Sequence, residues 1–207
     1  MRNKSNHSEL DKAVQILKRG GVVAYPTDTA YGFAVDATNL SAIKKLYGLK
    51  GRDFNKPVSI IFPSLAQASK VVAFNPLSKK IAAKYWPGGV TLVLPLKSKA
   101  RNWLILSAKT KTLGVRYPGN ELALQLVKEL GRPITATSAN ISGKPTGYSV
   151  NQIRKQYTNS KAQPDFYIDG GRSRSNSLST MLHVEGRHVT LLREGVVSYH
   201  DIIRILK

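Results

Sequence analysis

One stretch of the chain, PITATSANISGKPT at residues 133–146, gathers hydroxyl and amide side chains directly after a short apolar run. The G-K-P-T within it invites comparison with the phosphate-binding P-loop, G-x-x-x-x-G-K-[ST], in which a hydroxyl follows the lysine. Here Pro145 follows Lys144, and Ser138 stands where the first glycine would be. Proline also removes a backbone N–H from a loop that would have to present such groups. The stretch is no P-loop. A Ser/Asn-rich turn and a neutral phosphate or ribose site built on Ser138 and Asn140 both remain open.

Cationic side chains follow helix-like or strand-like segments elsewhere in the chain. Lys50 and Arg52 in LKGR are one residue apart, so both can face one phosphate, Arg as a fork and Lys as a point charge. Arg116 lies near the end of the apolar segment TLGVRYP, where its charge would be costly without an anionic partner. Arg193 ends another apolar segment, in LLREG. Strand ends are where an α/β site is expected, although many charged loops are simply solvated.

Other catalytic machinery is hard to assemble from this sequence. There is no cysteine, which excludes a thiolate nucleophile, Cys-ligated zinc and a disulfide framework. The four histidines lack a metal-binding spacing, and neither G-x-S-x-G nor G-x-G-x-x-G occurs. Asp28, Asp36 and Asp169 lie near predicted turns, and we expect each to be a turn or capping residue rather than an acid or base. No protein-held metal site is predicted.

The strongest bulk feature is a net charge of +20, and residues 51–150 carry 15 Lys/Arg against 3 Asp/Glu. Such a field favours polyanionic partners, nucleotides or nucleic acid, although a solvated lysine-rich surface is the simpler alternative. The 207 residues fit one domain over 1–207. No apolar run approaches the roughly 18 residues that span a bilayer, and the N-terminus lacks the apolar region of a secretory signal. We therefore expect a cytoplasmic protein without membrane contact.

Hydrophobic periodicity and turn residues predict alternating helices and strands. The predicted helices run from residue 8 to the glycines at 20 and 21, and over 40–49, 64–73, 76–85, 119–130, 150–157 and 198–206. The predicted strands cover residues 22–25, 31–35, 58–62, 90–95, 112–118, 134–137, 165–171, 179–184 and 188–195. Residues 97–111 are predicted to be an exposed loop or a frayed helix. This mixture, without an internal repeat or linker, indicates a single α/β domain around a mixed sheet.

Taken together, these segments resemble the YrdC/TsaC family of threonylcarbamoyl-AMP synthases. The correspondence is collinear over about residues 10–195, through GGVVAYPTDTAYGFAVDATN, LYGLKGRDFNKPVSIIF, WPGGVTLVLP, LGVRYPGN, PITATSANISGKPT, IDGGRSRSNSLSTML and LLREG. The combination of PTDTAYG, K-x-R and S-A-N-x-S-G is highly specific, and the length matches the stand-alone, single-domain form. Three positions depart from the family pattern: Asp53 replaces a frequent proline, Ile61 a frequent histidine, and Leu178 the glutamate of G-x-E-S-T.

The resemblance implies a YrdC-like twisted mixed β-sheet flanked by helices, with a large basic concave cavity. It implies a nucleotidyltransferase that makes threonylcarbamoyl-AMP and pyrophosphate from L-threonine, bicarbonate or CO2, and ATP. That product feeds the t6A modification of tRNA at position 37. The carbamate formed from threonine's own amine attacks the α-phosphorus of ATP, which explains the absence of a nucleophile triad. Alignment of the reactants and neutralisation of charge then carry the catalysis.

Carried over to the matching positions, the resemblance also implies the site residues. The ATP-binding set is Lys50, Arg52, Ser138, Asn140, Thr146 and Arg193, with Lys50 and Arg52 also catalytic. The threonine-binding set is Thr27, Arg116 and Ser179, with Arg116 the natural partner of the carboxylate. Mg²⁺ is expected on the phosphates of ATP. Transient contact with tRNA or the t6A transferase complex is a further partner that the resemblance allows.

Two alternatives share the fold. A non-catalytic RNA-binding module would suit the basic surface, but RNA platforms use exposed aromatic side chains and only 8% of this chain is aromatic. A carbamoyl-transfer relative, as found within hydrogenase-maturation proteins, would carry zinc-finger-like and acylphosphatase-like regions that this sequence lacks. Arg116 in an apolar segment and the hydroxyl-rich stretch favour a small buried ligand, and hence the synthase.

Overall fold

The computed structural model describes residues 4–100, 103–173 and 175–206. The helices in these residues are α1 (Lys4–Lys18), α2 (Leu40–Lys50), α3 (Leu65–Val71), α4 (Pro76–Tyr85), α5 (Glu121–Leu130), α6 (Val150–Tyr157) and α7 (Tyr199–Leu206). The strands are β1 (Val23–Tyr25), β2 (Gly32–Ala34), β3 (Ser59–Ile61), β4 (Val90–Pro95), β5 (Thr112–Arg116), β6 (Ile134–Ser138), β7 (Phe166–Tyr167), β8 (Thr180–Glu185) and β9 (His188–Arg193).

Local capping chemistry sets where several helices begin and end. The side chain of Asn39 accepts a hydrogen bond from the backbone N–H of Ala42 and so starts α2. Gly51 ends the same helix in the left-handed conformation, with φ of 55°, which a side chain would disfavour. Asn75 and Ser78 form a capping box at the start of α4. These ends fix where Lys50, the last residue of α2, lies.

The strands form one mixed sheet in the order β7-β1-β2-β6-β3-β5-β4-β8-β9. The pairs β1–β7, β3–β5 and β4–β8 are parallel, and the remaining neighbours are antiparallel. Helices pack against both faces. The predicted mixed β-sheet flanked by helices is therefore confirmed.

Alternate strand residues face two separate apolar layers, because successive side chains of a strand point to opposite faces. In β1, Ala24 faces the larger cluster, which includes α2 and α6, while Val23 and Tyr25 face the smaller one with α1 and α5. The strand residues of the smaller cluster come from β1, β2, β3 and β6. Helices α1 and α5 thus cover part of this face and leave the rest of it uncovered.

Two predicted segments differ from the structure. The strand expected over 165–171 is reduced to β7, because the chain turns at Gly170, whose backbone N–H donates to the hydroxyl of Tyr31. The described part of 97–111 contains turns, but Leu106 is fully buried and its carbonyl accepts from Val58 N–H, so this part is not the expected exposed loop. Residues 101 and 102 lie outside the described residues. Within the described residues, no helix combines the length and apolar character needed to cross a membrane.

Candidate active site

A cleft that encloses about 140 Å³ and is partly open to solvent lies on the face of the sheet that carries the smaller cluster. Its described lining residues are Tyr25, Thr27, Thr29, Ala30, Tyr31, Gly32, Arg52, Pro57, Val58, Ser59, Ile61, Thr91, Arg116, Ala136, Thr137, Ser138, Leu178, Ser179, Met181 and Arg193. Among these residues there are three arginines and no Asp, Glu or Lys. The charge of this lining suits an anionic ligand.

The floor of this cleft is a row of neighbours across five strands. Ile61 of β3 pairs with Arg116 of β5, which pairs with Thr91 of β4; Thr91 pairs with Met181 of β8, and Met181 with Arg193 of β9. Paired residues point to the same face of a sheet, so these five side chains lie side by side. We call them the floor row. It places two guanidinium groups on one surface, with a hydroxyl and a thioether between them.

Arg116 is held by three groups of the protein. Its Nη2 donates to Asp28 Oδ1 at 2.8 Å, its Nη1 to Thr29 Oγ1 at 2.9 Å, and its Nε to the carbonyl of Gly88 at 3.3 Å. The Arg116 side chain is 8% exposed and that of Asp28 21%. The anionic partner that a charge in this apolar segment requires is therefore Asp28. Our expectation that Asp28 is a turn or capping residue missed this ion pair.

Arg193 lies at the other end of the floor row and contacts neutral groups. Its Nε and Nη2 both donate to the carbonyl of Ser179, and Nη2 also contacts Ser179 Oγ at 3.1 Å. Ser179 Oγ in turn lies 2.9 Å from Thr91 Oγ1. Burial, together with the charge of Arg116, lowers the pKa of Arg193 from its usual value. An anion placed between the two arginines would relieve this repulsion.

The S-A-N segment, residues 138–140, forms the wall of the cleft beside β2 and β3. Ser138 lines the cleft, and its hydroxyl donates to Asn140 Oδ1 at 2.7 Å. Lys50 lies behind this wall, is 1% exposed, and donates from Nζ to the carbonyls of Ser138 and Asn140. Asn140 Nδ2 donates to the carbonyl of Lys144 at 2.6 Å. The polar groups of this wall are thus bonded to one another.

The K-x-R segment is a compact turn that closes on itself. Arg52 Nη2 donates to the carbonyl of Pro57 at 2.8 Å and Nε to the carbonyl of Lys56 at 3.4 Å. Asp53 Oδ1 accepts from the backbone N–H of Asn55 at 2.8 Å, which makes Asp53 a turn residue at an exposed position outside the cleft lining. Arg52 therefore reaches the cleft wall with its remaining N–H groups available to a ligand.

Two tyrosines and the P-T-D-T turn complete the wall over β1 and β2. Thr27 Oγ1 donates to the carbonyl of Ala30 at 2.6 Å and accepts from Thr29 N–H, so its hydroxyl shapes the turn. Burial raises the pKa of Tyr31 to about 12. It also raises the pKa of Tyr25. Both phenols stay protonated near neutral pH, so they serve as hydrogen-bonding groups and not as bases.

The structure brings six of the nine predicted site residues to the cleft surface: Thr27, Arg52, Arg116, Ser138, Ser179 and Arg193. The other three, Lys50, Asn140 and Thr146, are not among its described lining residues. Lys50 and Asn140 lie directly behind Ser138. Arg52 thus lines the cleft and Lys50 lies behind its wall, while a shared contact of both residues with one phosphate stays a prediction.

Some cleft residues were missed by sequence reasoning. Thr91 is 2% exposed and is the one polar residue in the strand VTLVLP. A lone hydroxyl in an apolar strand was the signal that could have identified it. Ser59 lines the cleft because Gly114 on β5 leaves room; a Cβ there would collide with Ser59 Oγ. Ile61 and Leu178, two departures from the family pattern, also line the cleft, so both positions border any ligand.

The structure offers a poor fit for a metal ion held by protein groups. Across the described residues, no group of three or more His, Asp or Glu side chains lies together in a geometry that could hold a metal. The described cleft lining also contains no carboxylate. A divalent ion in this cleft would therefore take its oxygen ligands mainly from the bound anion and from water.

Sequence comparisons place the chain among known proteins. The family model Sua5/YciO/YrdC, described as telomere recombination, matches residues 15–195. The threonylcarbamoyl-AMP synthase of Bacillus subtilis is 32% identical over 203 residues, which are 98% of this chain and 58% of that protein. A putative threonylcarbamoyl-AMP synthase of Methanocaldococcus jannaschii is 34% identical over 204 residues, covering 96% of this chain and 93% of the relative.

A structural comparison agrees. Pyrococcus abyssi Sua5 complexed with L-threonine superposes with a TM-score of 0.87 at 31% identity, covering 95% of this chain and 57% of that one. The chain thus spans under three fifths of the Bacillus and Pyrococcus proteins and nearly all of the Methanocaldococcus one. The resemblance read from the motifs is confirmed: the chain belongs to the Sua5/YciO/YrdC family.

Proposed function

We propose that the chain is an L-threonylcarbamoyladenylate synthase, which converts L-threonine, bicarbonate or CO2, and ATP into threonylcarbamoyl-AMP and pyrophosphate for the t6A37 modification of tRNA. One observation carries the proposal: a carboxylate-free described lining with three arginines, in a family whose relatives are named threonylcarbamoyl-AMP synthase. That a Pyrococcus relative was crystallised with L-threonine supports the amino-acid substrate.

The floor row supports a division of the cleft between the two substrates. Arg116 is held by Asp28 and Thr29, and its remaining N–H groups can bind the carboxylate of threonine. Thr27 and Ser179 line the same cleft and offer neutral hydrogen-bonding groups, Ser179 through its contact with Thr91, the neighbour of Arg116 in the floor row. Arg52, Arg193 and Ser138 surround the rest of the cleft and would take the phosphates. Direct nucleotide contacts by Lys50, Asn140 and Thr146 stay predictions.

The chemistry needs positioning and charge neutralisation more than acid–base groups. The amine nitrogen of threonine forms a bond to the carbon of CO2 and loses a proton, which gives the carbamate. A carbamate oxygen then forms a bond to the α-phosphorus of ATP, and the bond from that phosphorus to the bridging oxygen breaks as pyrophosphate leaves. The arginines offset the negative charge of the departing group. A concave site that limits water helps because carbamates are short-lived in water.

Magnesium, RNA and location are further parts of the proposal. Mg²⁺ would be held by the ATP phosphates, and the protein's own groups would bind and orient the triphosphate around it. Contact with tRNA or the t6A transferase complex is supported by the net charge of +20 alone. A cytoplasmic location stays a prediction from the sequence, as does the single domain over residues 1–207.

The test is pyrophosphate release from ATP with threonine and bicarbonate supplied or withheld one at a time. We expect release when all three are present and almost none when either threonine or bicarbonate is missing. Arg52→Ala should abolish turnover and leave the fold intact, because the hydrogen bonds described for the Arg52 side chain are local, to carbonyls of its own turn and to Tyr47 at the end of α2. Release that ignores threonine would refute the proposed function.

A further inference from the structure

Lys50 is a buried cation whose bonds all go to one loop. Among the described contacts, its Nζ donates to the carbonyl of Ser138, to the carbonyl of Asn140 at 2.8 Å and to Asn140 Oδ1 at 3.2 Å. The ring of Phe33 lies 5.5 Å from the same nitrogen. A charged lysine carries three N–H donors and no acceptor, so these three oxygens use all of them. Lys50 has no donor left for a ligand in this arrangement.

Asn140 Oδ1 receives a second hydrogen bond, from the hydroxyl of Ser138 at 2.7 Å. This doubly bonded oxygen links the buried lysine to a side chain that faces the cleft. A hydroxyl has one proton to donate and can rotate. If Ser138 turns its O–H toward a ligand, Asn140 Oδ1 still keeps the bond from Lys50 and is not left buried without a partner.

Rotation of the Ser138 hydroxyl toward a ligand has a different consequence when Lys50 is neutral or absent. A neutral amine has two N–H donors for three oxygens, so the hydroxyl of Ser138 is then needed by Asn140 Oδ1. Turning it away would leave a buried amide oxygen unpaired, since Asn140 is 8% exposed. The third proton on Lys50 therefore determines whether Ser138 is free to donate into the cleft.

We propose that Lys50 is a positioning residue: by supplying a hydrogen bond to Asn140 Oδ1, its ammonium group frees the Ser138 hydroxyl to donate to a phosphate oxygen of a nucleoside triphosphate. This inference rests on the ATP-binding half of the proposed function. It replaces the expected direct contact between Lys50 and phosphate with an action through Ser138.

A double-mutant cycle in ATP affinity tests this mechanism, with Lys50→Met, Ser138→Ala and the double variant titrated with Mg-ATP by calorimetry. Each single change removes the same bond to phosphate, so each should raise the Kd about tenfold, and the double variant should be no weaker than either single one. Lys44→Met on the exposed side of α2 is the matched control, with an expected change under about twofold. If the two effects multiply, so that the Kd of the double variant rises about a hundredfold, Lys50 binds phosphate itself.

A second measurement keeps the inference testable if Lys50→Met does not fold. Burial, and then the charge of Arg52, lower the pKa of Lys50 to about 7, while the groups that contact it from β2 and the 138–140 wall, Phe33, Ser138 and Asn140, carry no charge. Below pH 7 the ammonium form dominates, and above it the third donor is lost.

The Kd of Ser138→Ala for Mg-ATP should therefore exceed that of the wild type about tenfold at pH 6, and the ratio should approach 1 by about pH 8.5. The titration of ATP itself affects both proteins and cancels in the ratio. A ratio that stays constant over this range would overturn the inference. A wild type that does not bind ATP overturns both proposals, whereas ATP binding without threonine-dependent pyrophosphate release overturns the proposed function alone.

Discussion

Arg116 and Arg193 lie in the same floor row with two strands between them, yet the protein surrounds their charges with different partners. Arg116 is paired with the carboxylate of Asp28, whereas the described contacts of Arg193 are with the carbonyl and hydroxyl of the neutral Ser179. The pKa of Arg193 is lowered by burial and by the charge of Arg116. One end of the floor is thus neutralised by the protein, and the other has its charge left for a ligand.

The difference explains how one small cleft could hold two unlike anions. An arginine fixed by Asp28 and Thr29 has little freedom and presents its open N–H groups in one direction, which suits the carboxylate of a small amino acid. An arginine with neutral partners retains its full charge for a more highly charged group, such as a triphosphate. Under the proposed function, the pairing pattern, more than the residue type, would separate the two roles.

The largest expected effect is on stability. Arg116→Met should lower the free energy of unfolding by about 3 kcal/mol, because it leaves the half-buried carboxylate of Asp28 without its ion pair. Arg193→Met should cost about 1–2 kcal/mol, since it leaves only neutral acceptors of Ser179 without a partner. Urea denaturation of both variants and the wild type measures the two losses in the free energy of unfolding.

The control for that experiment is the double variant Asp28→Asn with Arg116→Met. It removes the unpaired carboxylate, so it should recover part of the stability lost in Arg116→Met alone. Equal losses for Arg116→Met and Arg193→Met, with no recovery in the double variant, would show that the Asp28 pair does not distinguish the two arginines.

The second prediction concerns ligands and depends on the proposed function. Arg116→Met should raise the KM for threonine about 10- to 100-fold with little change in the KM for ATP, and Arg193→Met should do the reverse. The size corresponds to about 1.5–3 kcal/mol for a hydrogen bond to a charged group. Initial rates of pyrophosphate release at varied threonine and varied ATP measure both values.

Arg187→Met provides the matched control, because Arg187 is exposed in the turn between β8 and β9, outside the described cleft lining. It removes the same charge from the same hairpin and should change either KM by under about twofold. If Arg116→Met and Arg193→Met raise both values together, the two ends of the floor row do not bind separate substrates.

The smallest expected effect concerns Thr91, one of the two residues between the arginines in the floor row. Thr91→Val keeps the shape of the side chain and removes the hydroxyl that contacts Ser179 Oγ at 2.9 Å. Ser179 keeps its bond from Arg193, so we expect a loss of about 1 kcal/mol and a two- to fivefold rise in the KM for threonine. Thr91→Ser, which keeps a hydroxyl, should have the wild-type KM for threonine. If Thr91→Val and Thr91→Ser have equal KM values for threonine, the hydroxyl of Thr91 does not contribute to threonine binding.

Much of the fold followed from local patterns. The predicted helix over 40–49 matches α2 and the predicted strand over 90–95 matches β4, because periodicity and turn signals depend on residues close in sequence. The strand expected over 165–171 was mostly wrong, since the turn at Gly170 is fixed by Tyr31, 139 residues away. Buried Leu106 was missed for the same kind of reason: its carbonyl bonds Val58, far along the chain.

In the candidate site, too, some features followed from the sequence and others depended on residues far apart in the chain. The sequence by itself determined that cations and hydroxyls stand at strand ends and that the motifs belong to one family. Only the tertiary structure decided their partners: Asp28 for Arg116, 88 residues apart, and Asn140 for Lys50, 90 residues apart. Hydrogen bonds and ion pairs depend on distances of about 3 Å between atoms, and the sheet register that brings distant strands together sets those distances.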